Sequence, residues 1–257
     1  MTLSMSGKTA LITGAAGAIG LAIARLLASR GAQIAALDIA GTDFAPMKDA
    51  VRDQKQLLTL EADVTDAAAF AAAVAATVKT FGRIDIFFNN AGIEGPGAPI
   101  PDYPLQEFRK VIEVNVIGIF LGLKLVIPEM AKAGQGSSIN SSSVAGLVGS
   151  SGLCGYVASK HAVLGLTRTA AVECGAKGIR VNCVNPGPIE SRMMVAIENG
   201  LGADAAAAMH ADIAGAIPMK RYGTPEEVAG VVAFLASDEA AFVNGAAYTV
   251  DGGMTAA

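Results

Sequence analysis

With 257 residues, the chain has room for one large α/β domain and little beyond it. Apolar residues make up 52% and charged residues 16%, a core-rich composition that excludes a disordered chain. The net charge of -4 argues against a nucleic-acid backbone as partner.

The start, MTLSMSGKTALITG, has no basic stretch followed by a long apolar core, so no signal peptide is expected. KTALIT (8–13) reads as a buried strand and LAIARLLASRG (21–31) as a helix with a glycine stop. QIAALD (33–38) is a second strand, and KQLLTLEAD (55–63) contains a third. DAAAFAAAVAATVKTFG (66–82) reads as a helix, and RIDIFFNN (83–90) contains a fourth strand. A helix from about Leu105 to Ala133 precedes the strand SSINS (137–141). YVASKHAVLGLTRTAAVECGAKG (156–178) is a helix and IRVNCVNPG (179–187) a strand and turn. PEEVAGVVAFLAS (225–237) is a last helix before the strand AAYTV (246–250). The uncharged stretch from Ala133 to Ser159 is broken by serines and glycines and is not expected to span a membrane.

This alternation predicts an α/β fold, a doubly wound parallel sheet with helices on both faces, in a single domain over 1–257. Ligands of such sheets bind beyond the carboxyl ends of the strands. There the sequence puts Thr13–Gly20, Asp38, Asp63, Asn89–Gly92, Ser141–Ser143 and Asn185–Gly187. Nearly every strand ends in polar residues or glycine, which predicts one large site across the sheet top.

The glycines of TGAAGAIG (13–20) would let backbone N–H groups approach a diphosphate at a helix N-terminus, or would serve a tight strand-to-helix turn. Asp38 closes the second strand, where a carboxylate can accept hydrogen bonds from both hydroxyls of an adenosine ribose and would repel a 2′-phosphate. NAD is therefore expected over NADP, with Ile39 beside it. Asp63, followed by Val64, could take the adenine amino group or form a turn. Asn90, Ala91 and Gly92 suit a backbone lying close to a ligand, or a turn.

Tyr156 and Lys160 share one helix face. An ammonium about 5 Å from a phenol, at an effective dielectric of about 20, favours the phenolate by roughly 3 kcal/mol. That is about 2 pKa units, so a tyrosine with a lowered pKa is expected. Ser143, at the end of the preceding strand, could hold a substrate oxygen. Asn115 sits inside the apolar run VIEVNVIG, where a polar group needs a partner.

NNAG (89–92), the Asn of VNV (115), Ser143 with YVASK (156–160), and VNPGPIES (184–191) stand together in the order and spacing of the classical short-chain dehydrogenase/reductase family, which the chain resembles over essentially its whole length. The resemblance implies a Rossmann-type fold and a nicotinamide cofactor. It implies Tyr156 as general acid/base, and Lys160 as the residue that binds the nicotinamide ribose and lowers the tyrosine pKa. Ser143 would orient the substrate oxygen, and Asn115 would support a water relaying protons to Lys160. Pro186, Gly187, Ile189 and Ser191 would contact the nicotinamide end. The family's glycine pattern, T-G-x-x-x-G-x-G, would need glycine at 18. This chain has Ala18, with Gly14, Gly17, Ile19 and Gly20 around it, which matches the T-G-x-x-G-x-x-G of longer, epimerase-like relatives. A diphosphate held in slightly shifted geometry is expected.

Residues 188–222 would form the substrate lid, with Met193, Met194 and Ile197 as an adaptable apolar wall or as ordinary packing. Ile93, Val144, Leu153 and Cys154 are further candidate lining, with Glu94 facing a second substrate hydroxyl or water. The lining favours a hydrophobic secondary alcohol or its ketone, whether cyclic, terpenoid, aryl or steroid-like. A 3-oxoacyl-thioester reductase and a catalytically idle NAD-binding sensor are the alternatives, and the glycine loop keeps an epimerase or dehydratase open. His161 and His210 lack metal-ligand spacing, and no metal is expected. Cys154, Cys174 and Cys183 form no C-x-x-C, which fits a reducing cytoplasm. By the family's habit a homotetramer or dimer is expected, through the helices near 105–133 and 156–176. No membrane or nucleic-acid partner is expected.

Overall fold

The computed structural model describes residues 4–199 and 203–256. Seven strands form one sheet: β1 (Thr9–Thr13), β2 (Gln33–Asp38), β3 (Leu57–Glu61), β4 (Ile86–Asn89), β5 (Gly136–Ser141), β6 (Ile179–Pro186) and β7 (Ala247–Val250). The order is β3-β2-β1-β4-β5-β6-β7, and every pairing is parallel. Parallel strands need crossovers, and nine α-helices among the described residues supply them. They are α1 (Ala18–Ser29), α2 (Ala45–Ala50), α3 (Ala67–Phe81), α4 (Leu105–Ile112), α5 (Gly118–Ala133), α6 (Cys154–Cys174), α7 (Arg192–Asn199), α8 (Ala203–Ala216) and α9 (Pro225–Ala236).

Side-chain alternation along the strands divides the core into two halves. Ala10, Ile12, Ile34, Ala36, Ile86, Phe88 and Val184 pack under α1 and α9 on one face. Leu11, Ala35, Leu37, Phe87 and Val181 pack under α3, α5 and α6 on the other. Both halves are fully buried, which is why these strands read as apolar runs and not as alternating ones.

Among the differences from the sequence expectation are three that precede β5. Helix α1 begins at Ala18, directly on the glycine loop, instead of at residue 21. A short helix, α2, was not expected: its six residues APMKDA carry too little periodicity to register. The run 105–133 is long and apolar enough to cross a membrane by length and composition, yet it is not one regular helix. A π-helical turn, Glu113–Ile117, separates α4 from α5, and Val111, Val126 and Met130 along the run are buried in the protein. The strand registers align Thr13, Asp38, Asn89, Ser141 and Pro186 along one edge of the sheet, as expected.

Candidate active site

The break in the strand order falls between β1 and β4, where crossovers leave in opposite directions and open a crevice. The glycine loop enters it from β1. Gly14 adopts a φ of 61°, and a Cβ there would lie 3.0 Å from Ala91 Cα. A Cβ on Gly20 would lie 2.5 Å from the Gly14 carbonyl oxygen, so glycine alone lets α1 rise against its own loop. Gly17 is the N-cap of α1, is exposed, and no side chain caps the helix. Ala18 is the first helical residue, so the glycine open to a ligand in this chain is Gly17, one position earlier than in T-G-x-x-x-G-x-G. An uncapped twelve-residue helix presents free N–H groups and the positive end of its dipole, which is what a diphosphate requires.

Asp38 braces that loop. One carboxylate oxygen accepts from the Ala16 N–H at 2.9 Å and the other from the Ile39 N–H at 2.9 Å. Each oxygen keeps a lone pair, so ribose hydroxyls still fit there. Ile39 is exposed. Asp63 forms the turn held open as an alternative: its Oδ1 accepts from the Thr65 N–H at 2.9 Å and the Thr65 hydroxyl at 2.8 Å. Val64 is buried and fills the space above Gly118. Asn90 donates from Nδ2 to the carbonyls of Thr13 at 3.1 Å and Gly14 at 3.2 Å, so it ties β4 to the glycine loop. The Thr13 hydroxyl oxygen accepts from the Asn90 and Ala91 N–H groups at 2.8 and 3.1 Å.

The chemistry-bearing residues converge from β5, α6 and the π turn. Lys160 is only 4% exposed. Its Nζ donates to the Ser141 carbonyl at 2.8 Å and lies 5.4 Å from the Tyr156 ring centre. Ser142, next in chain, donates its hydroxyl to the Lys160 carbonyl at 2.9 Å, so consecutive serines grip the lysine at both ends. Ser143 accepts the Ala145 N–H at 3.2 Å and donates to the Pro186 carbonyl at 3.4 Å. Its own carbonyl is held by Asn185 Nδ2 at 2.8 Å. The buried Asn115 exchanges two hydrogen bonds of 2.8 Å with the Ile93 backbone and donates to Ser159 Oγ at 3.0 Å. Ser159 in turn donates to the Tyr156 carbonyl at 2.7 Å. A Cβ on Gly92 would meet Asn115 Oδ1 at 3.1 Å and Lys160 Nζ at 3.6 Å, so glycine there brings loop, π turn and lysine together.

The electrostatics differ from expectation in sign. Burial pushes the Tyr156 phenol up to about 12; the Ser143 hydroxyl offsets part of this, and the negative charge of Glu94 adds to it. Burial pushes Lys160 down to about 8. A sequence shows an ammonium and a phenol at helical spacing but not the desolvation of both, which here is the largest cause of each shift. The expected lowered tyrosine is therefore not a property of the protein alone.

Further out, Ile93, Glu94, Val144, Leu153 and Cys154 are half-buried. Leu153 bridges Ala98, and Cys154 opens α6. Gly187 sits beyond β6, Ile189 is buried against Gly223, and Pro186 is buried. Ser191 accepts the Met194 N–H at 3.3 Å and so starts α7, which carries Met193, Met194 and Ile197. Residues 200–202 of the expected lid lie outside the described residues. The lid also holds a cluster the sequence did not reveal. Tyr222 donates to Glu198 Oε1 at 2.8 Å, and His210 Nδ1 lies 3.1 Å from the same oxygen. Asn185 and Ser142 were likewise missed as positioning groups; their only signal was polarity at the end of buried strands. A cavity of about 730 Å³ lined by Lys8, Asp85, Arg180 and Phe242 opens at the opposite ends of the strands and shares none of these residues.

A glycine-wrapped helix N-terminus beside an acidic strand end, facing a half-buried tyrosine over a buried lysine, defines a Rossmann-type oxidoreductase. Comparison with known proteins narrows the class. A family model described as enoyl-(acyl carrier protein) reductase matches residues 14–255. Levodione reductase of Leifsonia aquatica is 41% identical over 100% of this chain and 97% of its own. A crystal structure of levodione reductase superposes with a TM-score of 0.94 at 41% identity, covering 98% of this chain and 99% of that one. Cis-4-hydroxycyclohexanecarboxylate dehydrogenase of Sinomonas cyclohexanicum is 43% identical over 97% of each chain. The crystal structure of an NAD+-bound xylitol dehydrogenase superposes with a TM-score of 0.89 at 35% identity, over 96% of this chain and 99% of that one. The chain belongs to the short-chain dehydrogenase/reductase family, on its classical branch. It is an alcohol dehydrogenase/ketone reductase.

Proposed function

We propose that the protein interconverts a neutral, hydrophobic, ring-bearing secondary alcohol and its ketone, with NAD as cofactor and Tyr156 as general acid/base. The observation that carries this reading is Lys160, a nearly sequestered cation anchored on the Ser141 carbonyl beneath the Tyr156 ring. Burying a charge beside a phenol is costly, and titratable groups so perturbed in a cleft cluster at functional sites.

The residues present fit a dinucleotide. Gly17 and the free N–H groups of α1 would hold the diphosphate, with Gly14, Ile19 and Gly20 shaping the turn. Asp38 would take the ribose hydroxyls, and its charge speaks for NAD over NADP. Ala91, Gly92, Pro186, Gly187, Ile189 and Ser191 would bound the nicotinamide end, and Lys160 would donate to its ribose. When bound, the cofactor supplies the hydride acceptor for the alcohol or the hydride donor for the ketone, and its oxidised form adds a positive charge.

In oxidation, Ser143 Oγ donates to the substrate oxygen while Tyr156 Oη takes the hydroxyl proton. The phenol that the protein alone holds near 12 becomes a base when cationic charge gathers beside it, which couples proton transfer to cofactor loading. Protons then leave through Lys160. Both Nδ2 hydrogens of Asn115 are taken by Ile93 and Ser159, so a relay water would donate to the remaining lone pair of Oδ1 or to a carbonyl of the π turn. Val144, Leu153, Cys154, Met193, Met194 and Ile197 would form the apolar pocket wall. The ring-bearing part of the reading is supported by relatives named for levodione and hydroxycyclohexanecarboxylate. A homotetramer or dimer is part of it: Phe120 on α5 and Val172 on α6 are 44% and 85% exposed, apolar groups where a second copy would cover them. A cytoplasmic setting accords with three unpaired cysteines.

The test follows absorbance at 340 nm with NAD or NADP and a panel of cyclic secondary alcohols. Turnover with NAD is expected, and Tyr156→Phe should lower kcat by at least about 100-fold. Turnover of a 3-oxoacyl thioester with NADPH alone would favour the thioester-reductase reading. Tight NAD binding without turnover of any alcohol or ketone would favour the sensor.

A further inference from the structure

Among the described residues, Glu94 is the acidic side chain whose charge bears on Tyr156, and it works against the phenolate that the reaction needs. Its placement is rigid. The preceding residue, Ile93, is locked through both its N–H and its carbonyl to Asn115. Gly92, one residue earlier, packs against Lys160 Nζ. The following residue, Gly95, adopts a φ of 71° with the Tyr103 hydroxyl where a side chain would stand. The loop is thus fixed on both sides of Glu94, beside the Tyr–Lys pair. The carboxylate is half-buried, and among the described residues it accepts no hydrogen bond and pairs with no cation. Held beside the Tyr–Lys pair with no protein partner, the carboxylate keeps its acceptor sites free for a donor on the substrate.

We infer that Glu94 sets substrate charge, accepting a hydrogen bond from a second hydroxyl on the substrate and rejecting substrates that carry a carboxylate. The inference rests on the alcohol dehydrogenase reading above and refines its substrate class. A carboxylate on the far side of a substrate ring would face Glu94 across a few ångströms of low-dielectric pocket, where like charges repel strongly. A hydroxyl in the same place would donate to it, a charge-assisted hydrogen bond. By this criterion the chain parts from its hydroxycyclohexanecarboxylate relative despite 43% identity.

The test measures kcat/KM with NAD for cyclohexane-1,4-diol and for cis-4-hydroxycyclohexanecarboxylate in wild type, Glu94→Gln and Glu94→Lys. Wild type is expected to prefer the diol. The carboxylate-to-diol ratio should rise by about tenfold or more in Glu94→Gln and further in Glu94→Lys. The isosteric Gln variant should fold, since Glu94 makes no contact to the protein that it must keep. A ratio that stays within about twofold of wild type in both variants, with turnover intact, overturns the inference and leaves the dehydrogenase reading standing. Absence of turnover of either alcohol by the wild-type enzyme overturns both.

Discussion

Lys160 and Tyr156 are displaced in opposite directions by the same cause, and the displacement has consequences for stability as well as for chemistry. The unfolded lysine titrates at 10.5 and the folded one at about 8. Between those values the unfolded chain binds the extra proton, so this residue's contribution grows as pH rises from 8 to 10.5 and is lost as pH falls through 8. Tyr156 does the reverse: raised from 10.0 to about 12, its contribution is complete below pH 10 and lost as pH rises through 12. At neutral pH the protein therefore carries a buried charge at a cost. Replacing it by an apolar chain of similar length removes that cost, of order 3 kcal/mol, and forfeits one hydrogen bond to Ser141, of order 1 kcal/mol. Lys160→Met should be inactive yet melt higher than wild type at pH 7, with the gain shrinking as the melt is repeated up to pH 10. A melting difference that does not change with pH would mean the lysine bears no such burden.

At the scale of elements, the π turn at Glu113–Ile117 is where the site is assembled, because it carries Asn115 inward between loop 93–95 and α6. Truncating Asn115 to alanine deletes three hydrogen bonds and strands the N–H and carbonyl of Ile93. The expected loss of stability is about 2–4 kcal/mol, read as a lower urea midpoint at constant m value. A loss below about 0.5 kcal/mol would show that water replaces the amide without penalty. The strand–helix alternation was legible because β1, β2 and β4 are apolar on both faces and end in Thr13, Asp38 and Asn89. The Tyr–Lys–Ser set was legible because its residue types and order are unusual together. What the π turn does was not. The run around Asn115 has the periodicity of an ordinary helix, and a widened turn depends on a partner far along the chain, the Ile93 backbone. The same holds for Asn185 behind Ser143 and for Glu198 under Tyr222 and His210: each is a long-range hydrogen bond made by a polar residue with no local pattern. The sign of the tyrosine shift was hidden for a related reason, since desolvation depends on everything packed around the pair.

Across the whole molecule, the proposed cofactor site draws on both core halves. The glycine loop and Asp38 belong to the β1–β2 side, and Ser143, Tyr156 and Lys160 to the β5–α6 side, with the crevice between β1 and β4 at the centre. A ligand spanning that crevice ties the two sides together, and binding to the native state alone must raise the melting temperature. At about 100 times its dissociation constant NAD would add about 2.7 kcal/mol. For a chain of this size that is a shift of roughly 5–10 °C. The shift should be larger with NAD than with NADP at equal concentration, because in the proposed reading the Asp38 carboxylate would repel a 2′-phosphate. Asp38→Asn keeps an oxygen acceptor for a backbone N–H of Ala16 or Ile39 but removes the charge. The NAD shift should therefore fall and the NADP shift rise, with the ligand-free melting temperature lowered by less than the NAD shift. A wild-type melt that responds more to NADP than to NAD would overturn the assignment of Asp38, while leaving the Tyr–Lys–Ser chemistry intact.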